Sequence, residues 1–200
     1  MDTILAFALA SFLIELTPGP NMSYLAIVTL REGRRAGFAT VAGVAIGLAL
    51  IGAAAAAGVT ALINASPVLF QVLRFAGIAF MLWLAWDAWR DPDDDECAVD
   101  HPDSRHFWRG FVTNVLNPKA AAFYVTVLPT FIVPGAVVAS ATATLTAVYV
   151  AVATAVHGAI VVLAGTLRPF FGGEYERITR RVLAVLLALV AVWFGWKTSA

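Results

Sequence analysis

Glu15-Leu16-Thr17-Pro18-Gly19-Pro20-Asn21-Met22-Ser23-Tyr24 interrupts an otherwise apolar stretch running from about residue 3 to residue 30. Proline removes a backbone donor and clashes with the preceding helical turn. Two prolines around a glycine should therefore break a helix outright and leave carbonyls and amides unpaired. The stretch is long enough to cross a bilayer, which takes about 20 mainly apolar residues. At membrane depth such a break is tolerable only where it is buried in protein or faces a water-filled cavity.

The same interruption returns a hundred residues later. Val115-Leu116-Asn117-Pro118-Lys119-Ala120-Ala121-Ala122-Phe123-Tyr124 brings Pro118 onto Pro18 and Tyr124 onto Tyr24. A second echo pairs Trp83-x-x-Trp86 with Trp193-x-x-Trp196. Apolar stretches lie near 3–30, 36–63, 67–89, 108–132, 136–167 and 178–197, so the echoes fall at matching places in two sets of three. The expected fold is all-α and integral to the membrane: six transmembrane helices in a 3+3 inverted repeat, with proline-broken first and fourth helices. Three is odd, so the second half must be inserted upside down. The chain then reads as one transmembrane domain, with halves of about 1–90 and 107–200 joined by a loop over 91–106. Pro67 suits a first helical turn, and Pro134-Gly135 a tight turn between spans four and five.

Composition agrees. Of 200 residues, 60% are hydrophobic and 13% charged, against about 25% charged in a soluble domain. The net charge is zero and no basic run occurs, which speaks against nucleic acid as a partner. The lone Cys97 excludes an intrachain disulfide framework and a Cys-x-x-Cys redox motif. The N-terminus lacks the basic region of a signal peptide, so the first apolar segment is expected in the working protein. Arg31, Arg34, Arg35, Arg90, Arg105, Arg109, Arg168, Arg177, Arg180 and Arg181 all fall around odd-numbered loops. Lys and Arg are absent from the loops at 64–66 and around Pro134. Positive loops stay inside, so both termini are expected on the periplasmic or extracellular face of a bacterial inner membrane.

Charges inside the spans point to chemistry. Glu15 lies three residues before Pro18 and Lys119 directly follows Pro118. Near mid-span a charge costs at least ~2.5–3.5 kcal/mol, so such residues face a cavity or each other. Two readings stay open: Glu15 takes protons or a substrate ammonium while Lys119 anchors a carboxylate, or the two form a structural ion pair. Free N–H groups at a half-helix N-terminus suit the same carboxylate. The expected substrate-binding set is Glu15, Thr17, Pro18, Gly19, Pro20, Asn21, Asn114, Asn117, Pro118 and Lys119. Proton coupling is assigned to Glu15 and His157, although a lone histidine in an apolar span is often a packing residue. Arg74 is within snorkelling reach of the interface, and Asp87 reads as interfacial. Gly43, Gly47, Gly52 and the alanines from 53 to 57 form a small surface for close helix contact. A homodimer is compatible with that surface, which one chain can also use up by itself. The loop carrying Asp93, Asp94, Asp95, Glu96, Asp100, Asp103, His101 and His106 contains potential metal ligands. Its spacing matches no EF-hand, and it reads as a solvated acidic segment. No cofactor or metal is expected.

At these residues the chain resembles the LysE/RhtB family of bacterial amino-acid exporters. The shared elements are Thr17-Pro18-Gly19-Pro20-Asn21, Arg34-Arg35-Ala36-Gly37 followed by Gly43 and Gly47, Gly110-Phe111-Val112-Thr113-Asn114-Val115-Leu116-Asn117-Pro118-Lys119-Ala120, and Leu128-Pro129-Thr130-Phe131. The resemblance implies proton-coupled efflux of amino acids or their derivatives, with the two proline elements at the core of the path. Glu15 and Asp87 are the only acidic residues within any span. That favours neutral substrates of the threonine, homoserine or leucine type over basic ones. An intramembrane enzyme with Glu15 and His157 as acid and base, or a structural membrane subunit, are the competing classes. Ser/Lys, His-Glu-x-x-His and paired-aspartate motifs are all absent from the sequence. With no nucleotide-binding motif either, the energy source is expected to be an ion gradient.

Overall fold

Helices break where proline removes a donor, and the first break of this chain follows that rule. In the computed structural model, α1 (Thr3–Leu16) stops before the proline pair and α2 (Pro20–Glu32) restarts on the second proline, at an angle of 61° to α1. Pro20 sits at the first helical position, where its missing N–H is no loss. The structure describes residues 3–17, 19–58, 67–89 and 102–171, with isolated residues from 178 to 192. Pro18, Cys97, His101, the acidic residues from Asp93 to Asp100, Trp193 and Trp196 lie outside the described residues.

The remaining elements are α3 (Arg34–Ala56), α4 (Pro67–Trp89), α5 (Pro102–Val115), the short α6 (Pro118–Ala122) and α7 (Val138–Leu167). A π-helical turn, Phe123–Val127, and a 3-10 turn, Leu128–Phe131, continue α6. A second 3-10 turn, Arg168–Phe171, follows α7. Among the described residues every regular element is helical. Pro67 and Pro102 open α4 and α5, so α5 takes up the end of the segment expected as loop. Gly135, with φ 86°, makes the turn after Pro134. Among the described residues α3 and α7 are long and apolar enough to cross a membrane, and the bent pair α1–α2 makes a third crossing if counted as one span. The expected span 178–197 is helical at its few described positions.

Small residues hold the bundle together. A Cβ on Gly43 would lie 2.0 Å from the Phe107 carbonyl oxygen, and one on Gly110 2.3 Å from that of Thr40. The backbones of α3 and α5 are thus in direct contact. Gly52 admits Thr146 of α7, and Gly47 makes room for the Asn114 side chain. The expected small surface of α3 is therefore spent within the chain at these glycines. Outward, Ile46, Leu50, Val72, Phe75 and Leu163 are exposed, as lipid-facing residues would be.

One end of the bundle is tied by charged and polar contacts. Gly33, at φ 95°, turns the chain between α2 and α3. Arg35 grips Asp103 through Nε and Nη2, the shortest contact being 2.6 Å. Both partners are largely exposed, so the pair is worth little. Arg34 and Arg168 donate to the carbonyls of Val162 and Arg31. His106, read above as a flank of the acidic loop, is instead buried, with Nε2 2.9 Å from Glu32 Oε2. Burial pushes the Glu32 carboxyl up. The hydrogen bond to His106 and the positive charges of His106, Arg31 and Arg105 outweigh it and hold the carboxyl below its ordinary value.

Two outcomes follow for stability. Gly43→Ala drives a methyl into the Phe107 carbonyl and should destabilise the detergent-solubilised protein by about 3 kcal/mol. Gly158→Ala, whose Cβ would meet only Phe38 at 3.9 Å, should be neutral. Equal melting temperatures for the two would refute the close α3–α5 packing. Because folding lowers the Glu32 pKa, its contribution is present above the ordinary value of 4.5 and is lost as pH falls through the lower folded value. Glu32→Gln should therefore cost about 1–2 kcal/mol at pH 7, discounted for partial exposure, and the gap to wild type should close in acid. Melting curves at both pH values check this.

Candidate functional site

Where α1 ends, the Thr17 amide and hydroxyl both turn back to the Ile14 carbonyl. The Thr17 carbonyl points onward and has no further turn of helix to receive it. Lys119, from the second break, donates its Nζ to that oxygen at 3.0 Å. A cation at a helix C-terminus also meets the negative end of the dipole. The second break is closed differently. Asn117 caps α6, its Oδ1 accepting from the Lys119 amide at 3.0 Å. Asn21 Nδ2 donates to Asn114 Oδ1 at 2.8 Å, a buried bond across 93 residues that joins the breaks directly. The N-terminus of α2 has no side-chain cap on Gly19. The amides of Asn21 and Met22 therefore have no partner within the helix.

Between the breaks lies a cavity lined by Glu15, Gly19, Asn21, Met22, Asn117, Lys119, Ala120 and Tyr149. Its free space of about 10 Å³ holds roughly one water molecule. A carboxylate, a primary ammonium and the open start of a helix thus share one small buried volume. Glu15 is 5% exposed and lies between two residues of α7. Tyr149 donates its hydroxyl to Oε1 at 2.7 Å, and His157 Nε2 stands 3.2 Å from Oε2. Glu15 and Lys119 therefore face the same cavity through different partners. An aromatic cluster closes the cavity toward the N-terminal half of α1. Phe123 stacks on Tyr149 at 4.1 Å, and Phe7 packs against Phe123 and Phe131.

The sequence candidates distribute as follows. Glu15, Gly19, Asn21, Asn117 and Lys119 line the cavity. Asn114 is fully buried behind Asn21, Pro20 and Pro118 open the two half-helices, and His157 stands behind Glu15. Thr17 contributes its backbone carbonyl, while its hydroxyl is engaged with Ile14. The Arg74 and Asp87 side chains lie outside the described residues. Tyr149, Met22 and Ala120 were not legible as site residues. The available signal for Tyr149 was its position eight residues before His157, on one helical stripe. No group of three or more potential metal ligands occurs among the described residues.

Comparison with known proteins identifies the family. The family described as LysE type translocator matches residues 12–198. A leucine efflux protein of Enterobacter sp. (strain 638) is 34% identical over 130 residues, covering 63% of this chain and 62% of the relative. A leucine efflux protein of Klebsiella pneumoniae is 34% identical over 132 residues, 64% of this chain and 62% of the relative. A homoserine/homoserine lactone efflux protein of Salmonella typhi is 30% identical over 132 residues, 64% of each chain. The matched stretch thus spans a little under two thirds of each relative's length. No solved structure matches the chain. With the family match running almost end to end through both breaks, the chain belongs to the LysE type translocator family.

Proposed function

We propose that this protein is a secondary exporter of neutral amino acids or their derivatives across a bacterial inner membrane, driven by protons. The observation that carries the reading is the placement of Glu15 and Lys119 on one cavity between two broken helices. An amino acid is a zwitterion, and its two charges match that pair. Lys119 has three ammonium donors and spends one on Thr17, which leaves donors for a carboxylate. The amides of Asn21 and Met22 add the open positive end of α2. Glu15 receives the ammonium, or in the alternate half of the cycle a proton, with His157 as its neighbour in proton transfer. Cavity space for about one water means that substrate enters only when the surrounding helices part, as alternating access requires.

The family and its efflux relatives support a transporter rather than an enzyme. The names of those relatives, leucine and homoserine efflux proteins, favour a neutral substrate. Six spans, a 3+3 inverted repeat and outward termini complete the proposal, on the matched breaks and the arginine asymmetry. A lipid bilayer is the only other partner the reading needs; a homodimer is not required by it.

Proteoliposomes loaded with labelled leucine, threonine, homoserine or lysine and subjected to a proton gradient test the mechanism. Wild type should export neutral substrates in response to the gradient. Glu15→Gln should abolish the response, and Lys119→Ala should weaken substrate binding by about tenfold or more, as loss of a charged partner does. Variants indistinguishable from wild type would sink the assignment. For the topology, a periplasm-active reporter fused after Ala200 should be active; a signal only from a cytoplasmic reporter would reverse the orientation.

A further inference from the structure

The mechanism above leaves one cavity-lining group without a task. Tyr149 is fully buried, lines the cavity, and donates to the same carboxylate that is proposed to receive the substrate ammonium. While the cavity is closed its ring is held in place. Phe123 stacks on it at 4.1 Å and Tyr124 meets it edge-on at 5.6 Å, while Tyr124 is itself tied to the Leu48 carbonyl. The hydroxyl is therefore aimed at Glu15 Oε1 by packing. The other oxygen, Oε2, faces His157. Lone pairs do not limit this carboxylate, since each oxygen can accept more than one bond. Position does: the Tyr149 hydroxyl already occupies Oε1, so an ammonium arriving at that oxygen must displace it.

We propose that Tyr149 is a positioning residue whose hydroxyl stands in for the substrate ammonium on Glu15 during the substrate-free half of the transport cycle. This rests on the exporter reading and deepens it. A buried carboxyl without a partner is costly. His157 stands at Oε2, so a carrier returning empty must still supply a partner for Oε1, or the return becomes the slow step. A hydroxyl suits the task because it donates to an ionised carboxylate and can accept from a protonated one. When the amino acid binds, its ammonium takes Oε1 and the Tyr149 hydroxyl gives way. In this scheme the proton and the substrate never share Glu15, and neither state leaves it unpartnered.

The test is Tyr149→Phe in proteoliposomes, comparing two modes. Exchange of labelled for unlabelled leucine uses only the loaded carrier; net proton-driven efflux also needs the empty return. Net efflux should slow about tenfold more than exchange does, the worth of one hydrogen bond at a buried carboxyl. The apparent KM for leucine should fall, since a competitor for Oε1 is gone. Phe123→Leu, which loosens the stack but keeps the hydroxyl, should give the same split in weaker form and guards against a single misfolded variant. Exchange and net efflux falling together in both variants would show a merely structural role and overturn the proposal. So would no change in either mode. A wild type that exports no amino acid would remove the exporter reading and this inference together. A wild type that exports, with Glu15→Gln inactive and Tyr149→Phe unsplit, would remove this inference alone.

Discussion

The constraint on which the structure depends is that backbone groups freed at membrane depth must find partners inside the protein. The open carbonyl at the first break is answered from the second, which Asn117 closes with its own side chain. Lys119 beside the second break donates to the open carbonyl of Thr17 at the first, and the side chains of Asn21 and Asn114 bond across the two. Neither break is stable as an isolated kink. They are stable as a pair, which requires them to meet, and their meeting encloses the cavity. The site is thus a consequence of how the breaks are satisfied. Asn21, Asn117 and Lys119, which take part in these bonds, also line that cavity.

The two breaks are related in sequence but not equivalent in structure. Asn117 caps α6 with its own side chain, whereas α2 begins behind Gly19 with no side-chain cap. A Cβ on Gly19 would meet the Lys119 Cδ at 3.4 Å, an ordinary van der Waals contact. The helix after the second break also loosens at once into a π turn and then a 3-10 turn, while α2 runs on regularly to Glu32. One break therefore presents a helix start with no side-chain cap, and the other presents a lysine.

Around this centre the glycines of α3 act as spacers. Gly43 and Gly110 let α3 and α5 touch backbone to backbone, and Gly47 leaves the room that Asn114 occupies behind Asn21. α7 then brings Tyr149 and His157 to the two oxygens of Glu15. A carboxyl group at this depth would be a liability without them. At the far end, the pair of Glu32 with the buried His106 and the exposed Arg35–Asp103 pair tie α2 and α3 to α5.

The sequence by itself determined the membrane class, the positions of both breaks, the small packing face of α3 and most of the cavity residues. These are local consequences: proline ends a helix wherever it stands, and a charge in an apolar span must face something polar. It did not determine pairings. A direct Glu15–Lys119 ion pair was as open as a shared cavity, and His106 read as part of a solvated loop. Tyr149 was one more aromatic residue in an apolar helix. Which oxygen meets which donor depends on how α1, α6 and α7 approach one another across more than a hundred residues. That approach is set by close packing at a few glycines and by the need to satisfy every buried polar group at once, and only the folded chain carries it.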